Sequence, residues 1–135
     1  MKKRLTIIQM DVHVNDVEYN YTRVQELLVQ SLSENPDIIV LPETWNTGFY
    51  PSKDLINIAD RNGERTKSLL STFAKEHNVN IVGGSVAVAK NDVVFNTSYA
   101  YNREGTLVGK YSKMHGFSPA KEDQYFAGGT HTTHF

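Results

Sequence analysis

The spacing of apolar residues changes several times along this chain, and each change marks an element. Residues 5–12, LTIIQMDV, are apolar with β-branched members and give way to polar residues, which predicts a strand. Val17, Tyr21, Val24, Leu28 and Leu32 then recur at spacings of four, three, four and four, one face of a helix. Asn15 or Asp16 can cap its start, and Asn35-Pro36 ends it. DIIVL, residues 37–41, reads as a second strand packed on both faces. Strand, helix and strand with short joints form a βαβ unit, so the first two strands should be parallel. Residues 51–63 are polar and mixed and predict a surface excursion. Leu69, Leu70, Phe73 and Ala74 make a helical stripe within residues 65–77, with Asn78 placed to cap its end.

The remainder predicts a hairpin. VNIVGGSVAVAK, residues 79–90, reads as a buried strand containing Gly83-Gly84, and VVFNTSYAYN follows across an Asn91-Asp92 turn. REGT is a second turn leading into LVGKYSKMHGF, and residues 118–135, rich in Gly, Ser, Thr and His, read as loop. The order β-α-β-α-β-β-β predicts an α/β fold, a mixed sheet with helices on one face. Its other face has no evident helical cover.

Length and charge narrow the function. A chain of 135 residues suits one domain. Fourteen basic against fifteen acidic side chains leave a formal charge of −1, and no like-charge run extends beyond Lys2, Lys3 and Arg4. This argues against nucleic acid or an anionic membrane as partner. The apolar start is broken by Gln9 and Asp11, too soon for a membrane span or a signal-peptide core, so a cytoplasmic address is expected. There is no cysteine, which excludes disulfides, zinc thiolates and a cysteine nucleophile within these residues.

Chemistry is suggested at strand ends. Glu43 follows Pro42 at the carboxyl end of the second strand, where open α/β sheets bind ligands. Trp45, Phe49 and Tyr50 follow it and are candidate substrate contacts. Lys113 also ends an apolar strand, although alone it reads as a snorkelling surface lysine. Glu122, nine residues further on, draws no comment by itself. Asn96 either bonds backbone near such a site or is a simple strand-end turn residue. His131 and His134 have a metal-site spacing without a third ligand in a predicted element, so no metal and no cofactor are expected.

In order along the whole chain, LPETWNTGFY, IVGGSVA and YSKMHGF resemble the nitrilase (carbon–nitrogen hydrolase) superfamily, and within it the ω-amidase group. The resemblance implies the N-terminal part of a four-layer α-β-β-α sandwich, with residues 1–135 the first portion of one domain, ending before the nucleophile segment. It implies hydrolysis of a small-molecule ω-amide to acid and ammonia through Glu, Lys and Cys. Glu43 would be the base, Lys113 the oxyanion donor and Glu122 the carboxylate that holds Lys113. His115 would sit beside Lys113 as a further substrate contact, and the full-length form would be a homo-oligomer. Because the cysteine is missing here, the chain alone is expected to be inactive. The competing reading is a non-catalytic α/β binding module, but a flavodoxin-like phosphate site wants a glycine loop after the first strand, and QMDVHVNDVEYN has none. The catalytic reading requires Glu43 and Lys113 to come within ion-pair reach.

Overall fold

The computed structural model describes residues 2–134. Strands β1 (Leu5–Ile7) and β2 (Ile38–Val40) flank helix α1 (Val17–Ser31) and pair in parallel, as the βαβ pattern predicts. The Asp16 carboxylate accepts from the Tyr19 N–H at 3.1 Å and caps α1. The helix tightens into a 3-10 turn at Leu32–Glu34 and stops at Asn35, whose φ of 48° is left-handed. The first strand is shorter than residues 5–12, because its partner β2 runs out at Pro42. Beyond Ile8 the chain becomes a loop instead, and Asn20 clamps it by accepting from the His13 N–H and donating to the His13 carbonyl.

Helix α2 (Leu55–Ile58) and strand β3 (Asp60–Arg61) replace the expected surface excursion. Leu55 and Ala59 are buried against Ala87 and Val94. One apolar pair four residues apart is enough to anchor a single turn but too little to show as a period. Helix α3 (Glu64–His77) ends at Asn78, which is left-handed at φ 52° and donates its N–H to the Ala74 carbonyl. Replacing Asn78 by alanine should cost about 1 kcal/mol in urea unfolding, since alanine disfavours that conformation, whereas glycine there should be tolerated.

Strands β4 (Asn80–Val82) and β5 (Val86–Lys90) both run antiparallel to β6 (Val93–Tyr101). Val82 faces Ala100 and Val86 faces Thr97, so β4 and β5 occupy one edge of β6 in succession. The predicted single strand is therefore present, interrupted at residues 83–85. Asn91 and Asp92 have φ of 48° and 61°, the pair of positive values that a two-residue hairpin needs. Strand β7 (Leu107–Ser112) lines the opposite edge of β6. The result is a seven-stranded mixed sheet in the order β1-β2-β4-β6-β5-β3, with β7 on β6.

Alternation along the strands assigns the two faces. Ile39, Ile81, Val86, Tyr99 and Tyr101 lie under α1 and α3, packed by Tyr21, Val24, Leu28, Leu70, Phe73 and Ala74. The other face carries Leu5 and Ile7, 54% and 64% exposed, with Ile38, Val40 and Val82 partly buried. Its far end is covered by α2 and by helix α4 (Glu122–Tyr125), whose Tyr125 packs with Phe126 on the Ala87 and Val94 cluster. The tail expected to be loop thus contains a 3-10 turn at Ser118–Ala120 and then α4, each a single turn pinned by the buried Ala120 and Glu122. Among the described residues no helix is long and apolar enough to cross a membrane.

Candidate active site

The segment carrying Glu43 is held from both sides. Leu41 still donates to the Val82 carbonyl at 3.0 Å, and Pro42, which has no N–H, ends that ladder. The interruption between β4 and β5 then takes over. Ser85 donates its N–H to the Pro42 carbonyl at 3.0 Å, its hydroxyl accepts from the Thr44 N–H at 3.0 Å, and its carbonyl accepts from the Trp45 N–H at 3.2 Å. Gly84 is left-handed at φ +59°, and a Cβ there would lie 1.9 Å from the Pro42 oxygen. Only glycine lets the two backbones approach so closely. Further on, the Asn46 side chain accepts from the Ala87 N–H at 2.8 Å and donates to the Ala87 carbonyl at 3.1 Å, replacing a strand partner.

Lys113 comes from the end of β7, its N–H donated to the Asn96 carbonyl at 2.8 Å. Its Nζ lies 2.9 Å from Glu43 Oε1 and 2.8 Å from Glu122 Oε2, so the pair expected within ion-pair reach is in direct contact. Glu122, the first residue of α4, is 1% exposed and its Oε2 also accepts from the Phe117 N–H at 2.6 Å. Burial works against the Lys113 charge, but the bonds to Glu122 and Glu43 outweigh it and hold the ammonium above its ordinary pKa. A cleft of about 180 Å³ opens here, lined by Asn96, Lys113, Met114, Gly116, Glu122 and Phe126 among others. Outside this lining, Phe49 packs on Tyr50 at 5.3 Å and on Phe117 at 6.3 Å.

The other named residues divide. Phe49 and Tyr50 do not line the cleft, and their link to it is Phe117, whose ring meets Phe49 and whose N–H bonds Glu122. Trp45 is fully buried, edge-on to Tyr21 at 4.8 Å, and donates its indole N–H to the Gly83 carbonyl at 2.9 Å. It has no surface to offer a substrate and belongs to the core. His115 is exposed and stands outside the Glu43, Lys113 and Glu122 set. Asn96 bonds the site through its side chain as well as its backbone, donating from Nδ2 to Glu43 Oε1 at 3.0 Å. His131 accepts or donates at Nδ1 to the neighbouring Thr130 hydroxyl at 2.8 Å.

Chemically, this is a carboxylate with one oxygen anchored by two donors, next to an ammonium fixed by a second, buried carboxylate. Such a set can take a proton from a nucleophile and stabilise a developing oxyanion. A carbon-nitrogen hydrolase family model matches residues 4–134. The 2-oxoglutaramate amidase of Bacillus subtilis (strain 168) is 36% identical over 135 residues, covering 100% of this chain and 51% of that protein. A hydrolase in the agr operon of Staphylococcus aureus is 30% identical over 126 residues, covering 93% and 48%. Among solved structures, XC1258 from Xanthomonas campestris, a CN-hydrolase superfamily protein, superposes with a TM-score of 0.82 at 28% identity, covering 96% of this chain and 47% of that one. The chain spans about half the length of the relatives it matches. With the family model matched over residues 4–134 and relatives 36% and 30% identical along nearly the whole chain, this chain belongs to the carbon-nitrogen hydrolase family.

Proposed function

We propose that the chain supplies the base, the oxyanion donor and the supporting carboxylate for hydrolysis of a small ω-amide, in an enzyme whose thiol nucleophile comes from outside these 135 residues. The observation that carries the reading is the contact of Lys113 Nζ with Glu43 at 2.9 Å and with Glu122 at 2.8 Å. Glu43 takes the thiol proton as sulfur attacks the amide carbon, and Lys113 donates to the oxygen that gains charge. The proton passes to the leaving nitrogen, ammonia departs, and a water deprotonated by Glu43 cleaves the thioester to the free acid. Glu122 keeps Lys113 aimed throughout. The 36% identity to a 2-oxoglutaramate amidase supports an ω-amide substrate.

The test is a chimera joining residues 1–135 to the second half of the Bacillus subtilis amidase, assayed for ammonia from 2-oxoglutaramate. Turnover is expected, with none from the 135-residue chain alone. In the chimera Glu43→Gln should lower kcat by about 10²- to 10⁴-fold with little change in KM, because the proton acceptor acts only on the way to the transition state. A folded chimera with a titratable thiol and no ammonia release, or full turnover in the Glu43→Gln variant, rejects the assignment.

A further inference from the structure

The Glu43 carboxylate is also bonded by a residue outside the catalytic set. Two donors converge on a single oxygen, since Oε1 receives the Asn96 amide at 3.0 Å and the Lys113 ammonium at 2.9 Å. Oε2 has no protein donor among the described residues. A carboxylate only accepts, so Asn96 must turn its NH₂ and not its carbonyl toward Glu43. Asn96 is placed rigidly for this. It lies mid-strand in β6, 4% exposed, opposite Ala87, whose small side chain leaves room on that face. Its own backbone carbonyl receives the Lys113 N–H at 2.8 Å, so one residue ties the Glu43 carboxylate to the strand that delivers the lysine.

We propose that Asn96 is a positioning residue, which anchors Glu43 through Oε1 and leaves Oε2 as the oxygen that takes the proton. This rests on the reading of Glu43 as the base. Lys113 alone could bond Oε1 and still let the carboxylate swing about its Cγ–Cδ axis, because an ammonium is a rotatable point donor. A second donor, fixed in a sheet, removes that freedom. The residue type follows as well. An amide offers an N–H without charge, whereas an aspartate at this position would add a third carboxylate around one lysine, beside Glu43 and Glu122, with Asp123 lining the same cleft.

The test reads Glu43 directly, by the carbon-13 NMR signal of its carboxyl in the 135-residue chain. Asn96→Leu, of similar volume and neutral, removes one of the two donors on Oε1 and should move that signal. If Asn96→Leu does not fold, Asn96→Asp, which keeps the shape of the side chain and also lacks the donor, carries the same reading. An unmoved Glu43 signal in a folded variant overturns the proposal. In the chimera, Asn96→Leu should lower kcat by about tenfold and leave KM nearly unchanged, since the carboxylate must be aimed only on the way to the transition state. An inactive chimera rejects the hydrolase reading while the carboxyl signal still decides the role of Asn96.

Discussion

Alanine at Gly84 should destabilise the chain more than any other single methyl group added to it. Two costs arise at one atom. The residue sits at φ +59°, where an L side chain costs about 1 to 2 kcal/mol. Its Cβ would also lie 1.9 Å from the Pro42 oxygen and 2.5 Å from the Leu41 oxygen, both backbone, so no side chain can swing away. Separating the segments adds about 1 to 3 kcal/mol of overpacking strain. A total of about 2 to 5 kcal/mol is a large share of the roughly 5 to 15 kcal/mol typical of a domain. The disturbance should be visible where it starts. Trp45 is the single tryptophan and donates to the Gly83 carbonyl, so its fluorescence reports the same junction. Urea unfolding followed by that signal should show a midpoint shifted strongly downward, together with a changed native emission. A Gly84→Ala chain within about 1 kcal/mol of the parent, with native emission intact, would contradict the clamp that places Glu43.

That junction also explains which parts of the site could be read in the sequence. Helices α1 and α3 were legible because their apolar stripes run over several turns, and Glu43 and Lys113 because each follows an apolar strand. The burial of Trp45, which spacing predicts as a substrate contact, has a local cause. In an extended chain it would share a face with Glu43, two residues earlier. Thr44 adopts φ 44°, however, which breaks the alternation and turns the indole into the core while Glu43 stays outward. The single-turn helices α2 and α4 carry too few apolar positions to form a pattern. Glu122 therefore gave no sign of its burial, since the turn that buries it is itself unreadable. The pattern leaves Asn96 between two roles because a strand fixes a face and not a partner 53 residues away.

Glu122 and Lys113 allow stability to be separated from function. Glu122 Oε2 receives the Lys113 ammonium and the Phe117 N–H, while Oε1 is buried without a partner among the described residues. Lys113→Ala would leave that buried carboxyl with one backbone donor, and breaking a buried pair from one side typically costs about 3 to 5 kcal/mol. Lys113 keeps 30% of its side-chain exposure, so water can reach the vacated position and the expected loss is nearer to about 2 to 3 kcal/mol. The pH dependence has a definite sign. Because the folded pKa of Lys113 is raised, its contribution is fully present below the unfolded value of about 10.4 and is lost only as pH rises through the folded value. The Lys113→Ala loss in urea unfolding should therefore be the same at about pH 6 and about pH 9. The double variant Lys113→Met with Glu122→Leu removes both members and fills their volume with apolar atoms. It should recover most of the loss, as such replacements often do. Recovery would mean that the fold does not need the pair, and would favour a chemical role for it beside Glu43. A double variant as unstable as Lys113→Ala would instead make the pair a structural requirement, and the non-catalytic binding module would then account for it equally well.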